Sequence, residues 1–442
     1  MLHTFNAEGS AALTGPAWLR DRRATGVVAF ESSVMPSESE EVWRYSPIDE
    51  LKLDEFAPVV APPGPLPEEA EIFRRLVAST IGRVSAEAVV HNGHPLWFRV
   101  AEGEGAFGFG GCNDVAGGSE MVGGAQRGGD ALVLLNDAFL PDAVLIDVPA
   151  GVAVPEPILV VHWCEGTGGS AAGAAVLPRT CIRLGDGAHV AVVEVYAGPA
   201  STERALVVPV TELMAGDGAS LSYVSLQILN DAAWSIARLA AHGAADSVMR
   251  TFTIGLGADY DRVRSDVSVD GRGARSEILS TYLGHGTQVH DIRTLQDHVA
   301  PRTNSELLCQ GAVAGTSHSV YSGLIRVHRG AVRSDARQTN HNLVLDEGAH
   351  ADSVPNLDIL ENDVKCSHAS TVGPIDEDQR YYIESRGVAP DVAEGLIVKG
   401  FFDHIIDRGP IPAVTPLLKR EVHARLDAVF GDRQMVREVD DV

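Results

Sequence analysis

The period of apolar and polar positions changes twice along the chain. From about residue 85 to Asp363 apolar and polar residues alternate, as in 189–196 (HVAVVEVY), 221–228 (LSYVSLQI), 267–270 (VSVD) and 277–283 (EILSTYL). Period-two alternation places one set of side chains on one face, so these are short strands with a buried side. Before residue 85 the spacing is helical at 51–56 and 67–81, and Pro67 precedes Glu68 and Glu69, acids suited to a first helical turn. After Gly373 the helical period returns. Pro374 leads into Asp376, Glu377 and Asp378, Gly387 reads as a stop, and 390–406 and 414–430 read as two more helices. Three regions result: a mixed, largely helical segment 1–84, a mainly β core 85–375, and a helical segment 376–442.

Turn residues sharpen the picture of the core. Residues 88–97 (AVVHNGHPLW) predict a hairpin turning at Asn92-Gly93. Residues 131–161 read as strands of four to six residues separated by Asp, Pro and Gly turns. Gly-Ala pairs recur at Gly187, Gly218, Gly243, Gly257, Gly273, Gly311, Gly330 and Gly348. The intervals of 16, 19 and 18 residues between members of this series are near one turn of a β-solenoid. A β-sandwich yields similar short strands, and the pattern alone fits both. The segment 103–111 (GEGAFGFGG) formally contains GxGxxG, but no helix follows to aim its N-terminus at a phosphate, and a glycine-rich chain produces such matches by chance.

Composition narrows the function. With 45 glycines, 6% aromatics and 45% hydrophobic residues, the interior is built from small side chains and many turns. A formal charge of -25 disfavours nucleic acid and anionic membranes and suits a basic partner. The five cysteines, Cys112, Cys164, Cys181, Cys309 and Cys366, are too far apart for a CxxC cassette and odd in number. Free thiols in a reducing cytosol are the simplest reading, and the first residues lack a signal-peptide pattern, so a cytoplasmic location is expected. The most apolar long stretch, 144–163, is broken by Asp147, Pro149, Pro155, Glu156 and Pro157, which excludes a transmembrane helix. No nucleophile elbow, Walker A lysine or HExxH occurs, so neither a catalytic residue nor a permanently bound cofactor is expected. His285, His290, His298, His318, His328, His341 and His350 lie in the solenoid-like part of the chain. Stacked turns would bring some together, but without a short metal spacing each reads as a surface or packed histidine.

The chain is organised around residues 355–388, PNLDILENDVKCSHASTVGPIDEDQRYYIESRGV, where strands give way to helices. Cys366 and His368, two apart on a strand, point to one face, and thiolate with imidazole suits a soft transition metal or an iron–sulfur cluster. Two ligands do not close a site, so either there is no site here or a partner chain completes it. Asp358, Glu361 and Asp363 read as a solvated strand face. A solenoid without a cap also exposes strand edges that a partner extends, here expected around 343–360 with Leu343, Val344, Leu345, Leu357 and Ile359.

This stretch resembles the closing signature of the SufB/SufD family of iron–sulfur cluster assembly proteins: P-x-L-x-I, then D-V-K-C-S-H, T-V-G and S-R-G-V. Trp43-Arg44-Tyr45, Asn136 with Ala138, 288–291, His298 with Ser305, 321–327 and 339–345 resemble further family blocks. It looks like the SufD branch, because Ile359 and Leu360 stand where SufB-type members carry a cysteine, and Ala369 follows His368. Ala369-Ser370 departs from the Gly-Ala of most SufD-like sequences. The resemblance implies a right-handed parallel β-helix core flanked by helices. It implies a non-catalytic scaffold that pairs with a SufB-like protein by sheet extension, or with itself when isolated. It implies docking of a SufC-like ATPase on about 376–410, with Asp376, Tyr381, Tyr382, Arg386 and Gly387. It further implies that His368, with Cys366, offers ligands to iron or a nascent cluster at the SufB interface, held transiently. Trp43 and Tyr45 read simply as a staple between a helix and the core. The competing readings are a β-helix carbohydrate-active enzyme and a SufB-like primary cluster scaffold.

Overall fold

The computed structural model describes residues 4–103, 105–166 and 173–440; Glu104 of the glycine-rich segment lies outside them. Two long sheets face each other, and from Val210–Ala215 onward strands consecutive in sequence alternate between them. In one sheet the order ends with strands Tyr260–Val269, Val289–His298, His318–Val327 and His350–Ile359. In the other it ends with Arg275–Gly284, Asn304–Val313, Asp335–Val344 and Lys365–Gly373. All these neighbours are parallel, and each strand stacks in register on one about thirty residues away, Arg275 on Asn304, Asn304 on Asp335, and Asp335 on Lys365. The core is therefore a parallel β-solenoid, not a sandwich. One turn holds two strands, so the Gly-Ala interval of 16 to 19 residues measures half a turn, not a whole one.

The corners explain why the repeat is visible only in part. Gly187, Gly218, Asp246, Gly273, Arg302 and Arg333 take positive φ at the same corner of successive turns. Each donates its N–H to a carbonyl of the next turn, such as Gly218 to Ala245, Arg302 to Val332 and Arg333 to Asp363. Glycine is the least strained residue there, but half of this column is Asp or Arg, held by the ladder.

The lumen buries many apolar side chains, among them Val160, Val192, Leu213, Leu221, Ile278 and Leu307, around a polar group in which Glu194 accepts from Thr180 and Tyr223 and meets His162 Nε2 at 2.6 Å. Toward the C-terminal end it becomes polar: the column Ile278, Leu307 continues as Gln338 and then His368. One side chain spans a turn. Gly311 has no side chain, and an added Cβ would lie 2.1 Å from Tyr282 Cζ. The Tyr282 ring fills that space and its hydroxyl donates to Asn342 Oδ1 at 2.5 Å.

Helices cover the sheets from outside. Pro390–Ile406 and Thr415–Asp440 bury Val398, Phe402, Ile405, Leu417, Leu418 and Val422 against Phe252, Leu279 and Leu308 of one sheet. Each such large apolar side chain contributes roughly 1.5–3 kcal/mol on burial. On the other sheet, Ala17–Ser32 packs with the N-terminal segment, where Trp43 is buried and Arg262 lies 3.7 Å from its ring centroid. Trp43 thus acts as the expected staple, while Tyr45 stays exposed.

Two local expectations fail. Residues 131–139 form a helix, Ala131–Phe139, instead of a strand, capped by the Asp130 carboxylate accepting from Leu132 and Val133 N–H. It is apolar nearly all round because it is buried, which hides its period. Residues 51–56 form only a 3-10 turn, Leu53–Glu55, before the short strand Phe56–Pro58. The hairpin is as expected: strands Ala86–His91 and His94–Val100 pair antiparallel across Asn92 and Gly93, both at positive φ. Pro390–Ile406 falls where the periodicity puts it, and the last helix runs further, to Asp440. No helix among the described residues is long and apolar enough to cross a membrane.

Candidate partner-binding end of the solenoid

The solenoid stops without a cap. His350–Ile359 and Lys365–Gly373 are the terminal strands of the two sheets, each paired on one side only. The edge thus lies at 350–359 and 365–373, not across 343–360. Leu343 and Val344 belong to the strand before it, paired on both sides with Asn304–Val313 and Lys365–Gly373. Leu343 and Leu345 pack against the cluster under the C-terminal helices, and Val344 leans on the lumen cluster. Leu357 and Ile359 do lie on the terminal strand, on the lumen-facing side with Ala351 and Ser353.

Because nothing covers this last turn, its lumen-facing residues open outward. His368 is exposed above the buried Gln338. Cys366 sits above Ala336 and is half-buried against a small cluster with Ile325, Val327 and Ala331. Register places the two side chains in adjacent columns of the same face, as their spacing requires. Burial and the nearby Asp335 carboxylate push the Cys366 thiol upward. Of the five cysteines it alone is not fully buried, and burial raises the other thiols too, that of Cys309 to about 12. The departure at Ser370 has a structural role: its hydroxyl meets Ser353 Oγ across the two sheets at 2.6 Å, and Ser353 donates to Asn340 Oδ1 at 2.9 Å.

The acids near this end are occupied. Arg326 Nε donates to Asp358 at 3.1 Å, Arg333 lies 3.6 Å from Asp363, and Glu361 accepts from Gly330 N–H at 3.0 Å. That backbone bond, with those of Asn362 and Asp363, lowers the Glu361 carboxyl below its usual range. Asp358 is thus a paired residue of the terminal strand His350–Ile359, while Glu361 and Asp363 lie in the turn after it and not on the expected strand face.

The surface around the open end is unusually apolar. Val354, Leu357, Leu360 and Val372 on the last turn are 37 to 51% exposed. The helix Glu377–Glu384 follows at once, with Asp376 capping Gln379 N–H at 3.0 Å. Its Tyr381 and Tyr382 are 73% and 59% exposed, and Val392 and Leu396 continue the apolar surface on the next helix. Arg386 stacks on the Tyr382 ring and donates to its hydroxyl at 2.7 Å, and Gly387 takes positive φ at the turn that follows.

The sequence reading brought Cys366 and His368 to one face but missed another grouping. Among the described residues, the one cluster with three converging metal-type donors is His318, His350 and Asp352, on the other sheet. The signal was available in the solenoid register, since one turn separates His318 from His350.

The geometry is thus that of a parallel β-solenoid buttressed by terminal helices, open at its C-terminal end, where a histidine and a thiol share one face. Residues 167–401, more than half of the chain, match the family described as SUF system FeS cluster assembly, SufBD core domain. The chain belongs to this SufBD family of iron–sulfur cluster assembly proteins. It is 37% identical over 195 residues to an iron–sulfur cluster assembly SufBD family protein of Mycobacterium leprae, covering 42% of this chain and 50% of that protein. To a SufBD family protein of Mycobacterium tuberculosis it is 32% identical over 297 residues, 64% of this chain and 71% of the relative. To the iron–sulfur cluster assembly protein SufD of Escherichia coli it is 26% identical over 401 residues, 90% and 89% of the two chains.

Proposed function

We propose that this chain is a SufD-like, non-catalytic scaffold subunit acting in the cytoplasm. Its open edges, His350–Ile359 and Lys365–Gly373, pair with the equivalent edges of a SufB-like protein. His368, with Cys366 beside it, then offers ligands to iron or a nascent cluster whose remaining ligands come from the partner. Any such cluster is cargo, formed and passed on, not a resident cofactor. The exposed Tyr381, Tyr382, Val392 and Leu396 form the docking face for a SufC-like ATPase, whose hydrolysis drives rearrangement at the joint between the two solenoids. The observation that carries this reading is the uncapped last turn, where unsatisfied strand edges, exposed apolar side chains and His368 coincide.

The test is co-expression of the tagged chain with the SufB-like and SufC-like proteins of its own source, followed by pull-down and mass determination. Recovery of the three together is expected; recovery of a well-folded chain alone refutes the reading. In the recovered complex, His368→Ala is expected to leave assembly of the subunits intact and slow cluster formation. An unchanged rate of cluster formation removes the histidine from the mechanism.

A further inference from the structure

His318 and His350 are direct register partners on adjacent parallel strands. They face outward from the sheet opposite the one carrying His368, with ring centroids 5.2 Å apart. Asp352 lies two residues beyond His350 on the same edge strand and so on the same face. His318 Nε2 is 2.8 Å from Asp352 Oδ2 and His350 Nε2 is 3.3 Å from Oδ1. The three donors all lie within 4.8 Å of one another. Donors bound at about 2.0–2.2 Å to a tetrahedral ion are roughly 3.4 Å apart, so only small side-chain rotations separate this arrangement from a ligand set.

We propose that His318, His350 and Asp352 bind a divalent first-row transition ion at the outer face of the last solenoid turn. Two imidazoles and one carboxylate select zinc, cobalt or ferrous iron over magnesium and calcium, which require mostly oxygen ligands. Three protein ligands leave positions open for water or an incoming group. The strong negative charge of the chain raises the local concentration of cations. Because one ligand lies on the penultimate strand of this sheet and two on its terminal strand, the bound ion ties the edge to the turn beneath it. The site is separate from the His368 face and does not depend on the assembly role.

The experiment uses the full, metal-stripped chain, carrying no histidine tag, in a Cys366→Ser/His368→Ala background so that those two donors contribute nothing. Cobalt is titrated by equilibrium dialysis and followed by its visible ligand-field absorption, with magnesium as the competitor. One cobalt per chain is expected, undisturbed by excess magnesium. Loss of an outer-shell partner weakens metal sites by about 10–100-fold, so loss of a direct ligand in His318→Ala or His350→Ala is expected to weaken binding at least ~100-fold. His350 is 68% exposed at its side chain, so its replacement leaves the fold intact. His328→Ala, on the turn corner outside the cluster, is expected to bind as before. A second readout is hydrogen exchange, which zinc is expected to slow in residues 350–359. Absence of stoichiometric cobalt binding, or binding that survives His350→Ala, overturns the proposal.

Discussion

Acidification should destabilise the solenoid through one buried imidazole, that of His298. Its side chain is fully buried, with Nδ1 2.7 Å from Thr303 Oγ1 and Nε2 2.7 Å from Ser305 Oγ. Burial lowers its pKa from 6.5 to about 4, against a weaker opposing pull from Asp335. In the unfolded chain the ring titrates near 6.5. Between these values the unfolded chain binds more protons, so stability is fully present above pH ~6.5 and falls as pH drops toward 4. One pKa unit corresponds to 1.36 kcal/mol, so the complete loss is about 3 kcal/mol, of which about 2 kcal/mol is gone on moving from pH 7 to pH 5. The assay is urea unfolding of wild type and His298→Gln at both pH values. Other titrating groups are common to the two proteins and cancel. Wild type is expected to lose about 2 kcal/mol more than the variant over that interval. Equal losses would refute the argument, because the imidazole would then titrate alike in both states.

Three other outcomes are expected. Gly311→Ala forces the Tyr282 ring from its place and is expected to destabilise the fold by roughly 1–3 kcal/mol in thermal or urea unfolding; an unchanged midpoint would mean that the lumen yields freely there. Phe402→Ala empties the centre of the helix–sheet cluster, with an expected loss of about 3–5 kcal/mol by the same measurement. Leu357→Lys, at a side chain already 41% exposed, is expected to change unfolding stability by no more than about 0.5 kcal/mol while reducing recovery of the SufB-like protein in pull-down; undiminished recovery would move the joint elsewhere.

Local chemistry was legible wherever a short segment carries its own signal. Asn92-Gly93 accepts positive φ at both positions, and Pro390–Ile406 opens on a proline and keeps helical spacing. The 355–388 motif likewise placed Cys366 and His368 on one face through simple alternation. What was hidden depends on the third dimension. The turn length was read at half its value because each turn contains two strands, and because Asp246, Arg302 and Arg333 occupy corner positions that a count of glycines passes over. The helix Ala131–Phe139 is buried on nearly every side, so its polar face is missing. The edge was expected too early because pairing partners, not residue types, decide which strand is last. His318 and His350 are neighbours only through that pairing, so their shared face with Asp352 appears once the register is known.

The two ends of the solenoid differ in how they finish. At the N-terminal end both sheets close with antiparallel strands, His94–Val100 on one and Gly108–Gly110 on the other, whereas the C-terminal end finishes in bare parallel edges. A joint between two such bare ends consumes both, and the outer termini of the resulting pair are of the finished kind. The outer strands of such a pair run antiparallel to their neighbours, so the parallel ladder that makes the joint is not simply repeated there, and two units related by an approximate twofold axis form the natural closed pair.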